Sequence, residues 1–324
     1  MPCHALFNCD AGELGDLKFD VVVPSLPGFA WSEANARPGL DIGALARICL
    51  KLMRRLGLER DGYLVYGTDW GSFIAPTMAA LDLRRAVRGL HLQMVVPTWH
   101  RPLYWLHVAL ARLCPRLYFD SPQQFDALFP LSQRFAELFR RAGYFAIQST
   151  RPDTLGVELL DSPVGTLAWI AEKYVDWSLP PAETFAGAPL DSAAAELDAL
   201  ARLNITVDEL LTQATIFEAT RSIATSLRTY KQAMPYITHS SHERLSAAAV
   251  LAHLRGVPLA VALFPNDISG ALAEPFVRLS LGTGNLVQFT PMPRGGHFGA
   301  LQEPALLAQD IAAFARRIYR AVSD

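Results

Sequence analysis

Tyr66-Gly67-Thr68-Asp69-Trp70-Gly71-Ser72 constrains this chain more than any other stretch. The apolar run 62–66 before it has the make-up of a buried strand, and 72–83 after it that of a helix. Between them, small residues frame a single acid. That is what a sharp strand-to-helix turn requires, because Gly67 and Gly71 let the chain tighten without Cβ clashes. Such a turn lifts Asp69 above the strand end, beside a helix N-terminus that favours negative charge. Asp69 can be a simple helix cap there. It can also be a nucleophile, since a carboxylate is ionised at neutral pH and needs no base to attack. Which reading holds depends on whether partner residues follow in a workable order.

The pattern around this turn is an alternation of strand and helix. Phe19–Leu26 reads as a buried parallel strand, closed by Pro27-Gly28. Asp41–Leu56 has helical spacing through Ile42, Leu45, Ile48, Leu52 and Leu56, and Val87–Val96 reads as the next strand. From Pro97 to about Leu245 the alternation gives way to helical, aromatic sequence with proline-rich joints. It then resumes with strands at Val257–Phe264 and Asn285–Pro291 and a closing amphipathic helix at Pro304–Val322. This predicts an α/β fold with a mostly parallel sheet, residues 1–96 and 246–324 forming the core and 97–245 an inserted helical cap.

Composition narrows the function classes. With 51% hydrophobic and 19% charged residues over 324 positions, a large core is expected and extensive disorder is not. A net charge of −2 with no basic-aromatic stripe argues against nucleic acid. Cys3, Cys9, Cys49 and Cys114 make no paired or metal-ligand spacing, so reduced thiols, an intracellular setting and no metal are expected. Met1–Phe7 has neither a basic nor an apolar signal region, and no apolar run is long enough to span a bilayer. A cytoplasmic protein follows as the expectation. Pro102–Leu113 is the one stretch suited to touching a membrane surface, although a lid over an apolar pocket fits it better.

Partners for Asp69 appear in a definite order. Asp267 follows the strand Val257–Phe264, and His297 follows the last strand in the loop Arg294-Gly295-Gly296-His297-Phe298. Nucleophile, acid, histidine, each just after a strand, is the order of the α/β-hydrolase fold, with the turn at Asp69 as its nucleophile elbow. His297 would activate water, and Asp267 would orient the imidazole. A surface histidine is the plain alternative for His297 and a turn residue for Asp267; Glu274 is the second candidate acid. An acid in the elbow points to alkylating chemistry: opening an epoxide or displacing a halide leaves an alkyl ester that must then be hydrolysed.

Several motifs in one order resemble the microsomal-type epoxide hydrolase family. They are Phe19 through Phe29, Gly67-Thr68-Asp69-Trp70-Gly71-Ser72, Gly143 through Thr154, Asp161 through Gly165, Trp169 through Tyr174, and Gly295 through Pro304. The resemblance runs from about residue 19 to the C-terminus. It implies an apolar epoxide as substrate, a vicinal diol as product and no cofactor. It also implies two tyrosines that protonate the leaving oxygen, matched by Tyr144 and Tyr230, and an oxyanion donor in the Trp70 backbone N–H. Glu218 departs from the apolar pattern expected near Tyr230. Relative to the family, the long region before Phe19, with its further strands and second oxyanion donor, is not present. A natural short form that is weakly active or binds without turning over is therefore one alternative, and an incomplete version of an active enzyme is another. Haloalkane dehalogenase is a third, disfavoured because it needs halide donors and no tyrosine pair. A homodimer is compatible with all of these.

Overall fold

The structure is a computed structural model and describes residues 18–98, 101–180, 201–237, 250, 254–270, 272–282 and 285–323. Its elements in chain order are α1 Ile42–Arg55, β1 Tyr63–Gly67, α2 Gly71–Leu81, β2 Val87–Leu92, α3 Pro102–Leu113, α4 Pro122–Leu128, α5 Leu131–Arg141, α6 Gly143–Thr150, α7 Pro152–Asp161, α8 Pro163–Asp176, α9 Val207–Thr220, α10 Ile223–Ile237, β3 Leu259–Leu263, α11 Glu274–Leu281, β4 Leu286–Pro291, α12 Gly299–Gln302 and α13 Pro304–Ser323, beside two short 3-10 turns. This is the α/β-hydrolase fold, with a parallel sheet in the order β1-β2-β3-β4.

Period-two alternation explains how the sheet is covered. Along β3, Leu259, Val261 and Leu263 pack with Phe276 and Val277 of α11 and Val108 of α3. Ala260 and Ala262 point the other way, towards Phe314 and Leu307 of α13. With both faces covered, all five residues are buried, hence the unbroken apolar run. The same alternation in β2 sends His91 to the α13 face, where its Nε2 meets Asp310 Oδ2 at 2.7 Å; Thr290 Oγ1 donates to the other Asp310 oxygen at 2.6 Å.

Helix starts follow local chemistry. Asp41 caps α1 by accepting from Ala44 N at 2.7 Å, and Ser162 caps α8 by accepting from Gly165 N. Prolines open α3, α4, α7 and α8, where a missing N–H costs nothing. Between β2 and β3 every described element is helical.

Phe19–Leu26 departs from expectation. It joins no ladder, and Val23 stands exposed. Strand identity depends on an edge to pair with, and no described strand offers this segment one. Residues 2–8, the other potential source of an edge, lie outside the described residues, as do Cys3 and Cys9. The segment just after it is held instead by α10 and by Ser222 immediately before that helix. Ala30 N donates to Ser222 Oγ at 3.1 Å, Thr225 Oγ1 to Gly28 O at 2.7 Å, and Gln232 Oε1 accepts from Leu40 N at 2.6 Å.

Two further differences bear on function. Gln93–Val96, expected to continue β2, leaves the sheet. Helix α3 buries Tyr104, Val108 and Ala111 but exposes Leu103, Leu106, Leu110 and Leu113. The apolar cavity that Tyr104 and Trp105 line with Leu131, Phe135 and Ile268 includes neither Asp69 nor His297 among its walls. No described helix is long and apolar enough to cross a membrane.

Candidate active site

The turn after β1 places Asp69 in the left-handed region, φ +48°, a conformation that costs a non-glycine residue ~1–3 kcal/mol and persists only where its surroundings enforce it. Gly67 makes the tight approach possible. A Cβ there would lie 2.3 Å from Gly71 O, whereas one at Gly71 would meet nothing within 4 Å. The glycine frame thus works through one side chain's absence, not two as the pattern suggested. Trp70 caps α2, so its N–H is among those that helix geometry leaves without an intrahelical acceptor.

His297 bridges Asp69 and Asp267. Its Nε2 lies 3.1 Å from Asp69 Oδ2 and its Nδ1 2.8 Å from Asp267 Oδ1. The Asp267 carboxylate is almost wholly buried, and the same Oδ1 accepts from Ile268 N at 2.7 Å. Burial alone would lower the imidazolium pKa. Asp267 and Asp69 outweigh it and push the value up to about 10. The resting site is therefore a cation between two carboxylates, each ring N–H donating to one. Glu274, the second candidate acid, lies on α11 and pairs with Arg278.

The loop carrying His297 is fixed almost entirely through main-chain groups. His297 N donates to Trp177 O at 2.7 Å, just beyond α8. Gln93 Nε2 donates to His297 O at 2.6 Å, while Gln93 Oε1 accepts from Tyr66 Oη at 2.6 Å. Gln302 Oε1 accepts from Gly296 N at 2.9 Å, and Asn266 Nδ2 donates to Ser178 O at 3.1 Å. Gly295 is at φ +96°. A Cβ on Gly296 would lie 2.4 Å from Trp177 O. Sequence reasoning did not single out Gln93, Gln302 or the Trp177-Ser178 segment. The available signal was a lone glutamine where the apolar run Leu90–Val96 leaves β2.

Tyr144 on α6 and Tyr230 on α10 converge above the elbow. Their rings meet edge-on at 6.0 Å, and Tyr230 packs edge-on against Trp70 at 4.8 Å. Burial raises both hydroxyls well above the usual phenol range, and Asp69 adds to each. A hydrogen bond from Gln148 pulls Tyr230 partly back. Both therefore stay protonated and able to donate. Glu218 on α9 has a buried Oε1 with no hydrogen-bond partner. Among the described residues no three His, Cys, Asp or Glu side chains gather in a metal-binding group.

Comparison with known proteins bears on the family and the fold. A family model described as alpha/beta hydrolase fold matches residues 4–113. Epoxide hydrolase 1 of Sus scrofa is 36% identical over 297 residues, 91% of this chain and 60% of its own length. Juvenile hormone epoxide hydrolase 2 of Ctenocephalides felis is 36% identical over 296 residues, 90% of this chain and 57% of its own. The crystal structure of juvenile hormone epoxide hydrolase from Bombyx mori superposes with a TM-score of 0.75 at 29% identity, covering 93% of this chain and 64% of that one. The chain thus spans about 60% of the length of the curated relatives it matches.

Proposed function

This chain belongs to the epoxide hydrolase family of the α/β-hydrolase fold, and on that premise we propose that it converts an apolar epoxide to a vicinal diol through an ester on Asp69. The observation that carries the reading is the Asp69–His297–Asp267 chain at 3.1 and 2.8 Å with two protonated tyrosines above it. An Asp–His–Asp chain alone would also suit halide displacement. The tyrosine pair favours a substrate whose leaving group stays attached and needs a proton.

Asp69 attacks one ring carbon, the C–O bond breaks, and its electrons go to the ring oxygen. Tyr144 or Tyr230 donates the proton that turns this alkoxide into a hydroxyl. The tyrosinate recovers its proton from the His297 imidazolium, which leaves a neutral imidazole. Esterification also removes the Asp69 charge, one of the two that held the His297 pKa up, so the imidazole is released to act as base. Water then attacks the ester carbonyl and gives its proton to His297 Nε2, Asp267 stabilising the imidazolium. Trp70 N–H receives the developing oxyanion. Collapse expels the diol oxygen, which takes the proton back from His297, and the Asp69 carboxyl then passes its remaining proton, the second from water, to His297, which restores the carboxylate and the imidazolium.

Residues 97–245 act in this scheme as a cap that brings Tyr144 and Tyr230 to the epoxide oxygen. Trp70, Phe145 and the tyrosine rings make the surroundings apolar, which suits an apolar substrate. Single-turnover mass spectrometry with a styrene-oxide-like epoxide tests the proposal. An adduct on Asp69 that clears to diol is expected, with none in Asp69→Ala; a folded protein that forms neither adduct nor diol overturns it.

A further inference from the structure

Lys173 occupies a place that packing alone does not explain. It lies on α8, its side chain only 14% exposed. Its ammonium sits 3.8 Å from the centre of the Trp169 ring and 5.2 Å from the centre of the Tyr144 ring. Trp169 is in turn oriented by its indole N–H, which donates to Oε1 of the buried Gln148 at 3.1 Å. Gln148 lies one turn beyond Tyr144 on α6, so lysine, indole and amide form a continuous array behind the tyrosine pair. Burial lowers the Lys173 pKa, and Glu172 at 2.9 Å and Asp176 oppose the shift. Glu172 is itself 45% exposed, so this partner offsets only part of the cost of burying an ammonium. A methionine would fill the same space without that cost.

We propose that Lys173 is an electrostatic positioning residue for the ring-opening half-reaction, its ammonium serving through the Tyr144 face as counter-charge to the negative charge that reaches the tyrosine. The inference rests on the function proposed above. During ring opening, one negative charge leaves Asp69 and arrives at the oxygen held by Tyr144 and Tyr230. When Tyr144 gives up its proton, that charge spreads into the ring on which Lys173 sits. A cation over an aromatic face is held by the ring quadrupole, and more strongly once the ring carries charge. Ester hydrolysis places its charge elsewhere, on the carbonyl oxygen of Asp69 beside Trp70 N–H. Lys173 therefore acts on one half-reaction and not on the other, which a merely structural side chain would not do.

The test is a rapid-quench measurement of ester formation and ester decay, using the full chain and a styrene-oxide-like epoxide. Wild type, Lys173→Met, Lys173→Gln and Lys173→Arg are compared, with thermal unfolding recorded for each. Removing the charge is expected to slow ester formation about 10-fold, leave ester decay within a factor of two, and be largely rescued by arginine. Equal slowing of both steps, an unchanged rate of formation in a folded neutral variant, or failure of arginine to restore it would overturn the inference. Should the first neutral variant fail to fold, the second and the arginine variant still decide. No ester in wild type would sink the proposed function itself; ester in wild type with a normal Lys173→Met rate sinks only the role of Lys173.

Discussion

Replacing Gly296 by alanine is expected to separate the two half-reactions. An added Cβ would lie 2.4 Å from Trp177 O and 2.5 Å from Ser178 Cα. Both are backbone atoms and cannot rotate away. Ordinary contact begins at 3.4 Å, so the loop must retreat by roughly 1 Å, a displacement of the size that costs ~10²-fold when it misplaces a catalytic group. The retreat also strains the His297 N–H bond to Trp177 O and carries the imidazole from 3.1 Å to beyond hydrogen-bond reach of Asp69. Esterification needs no base and should persist. Hydrolysis should slow ~10²-fold, so the ester accumulates and is seen by mass spectrometry. Gly71→Ala is the control, since its Cβ meets nothing within 4 Å and both rates should stay near wild type. A folded Gly296→Ala protein that clears its ester at the wild-type rate would refute the view that main-chain contacts with Trp177-Ser178 position the base.

The His297 pKa, raised from 6.5 to about 10, makes stability depend on pH in a stated direction. The contribution is complete below pH 6.5 and is lost as pH rises through 10, so Tm should fall across that window in wild type and fall less in His297→Gln. Asp310→Ala strips the partner from buried His91 and from Thr290, and should cost about 3 kcal/mol in urea unfolding. A loss below 1 kcal/mol would mean that water or a rearranged side chain replaces the carboxylate. Tyr144→Phe and Tyr230→Phe should each slow ester formation ~10²-fold while leaving decay of the ester unchanged, as rapid quench would show.

The elements legible in the sequence share one property: their signal is carried by side chains repeating at a fixed period. The spacing of Ile42, Leu45, Ile48 and Leu52 marks α1, and the apolar run at Leu259–Leu263 marks a strand covered on both faces. The strand-turn-helix around Asp69 and the chain order of Asp69, Asp267 and His297 were legible because small residues and turn chemistry punctuate them. Phe19–Leu26 misleads because an apolar run records a tendency to pair, and pairing depends on what lies alongside. The contacts that hold His297 were not legible for another reason. Trp177 contributes its carbonyl oxygen, which every residue possesses, so no side-chain pattern announces it. Gly71 shows the limit of reading a motif residue by residue: it belongs to the glycine frame, yet its own position has room for a side chain.

The bond from His297 N–H to Trp177 O has a consequence for how such a protein can diversify. Substrate range is ordinarily altered by lengthening, shortening or exchanging the segments that roof a pocket. Under the proposed function, the segment that ends α8 is the main-chain rest for the base, so an insertion between Asp176 and Leu179 is expected to change the rate of ester hydrolysis. A library of variants built on this chain should therefore leave the length of 176–179 untouched.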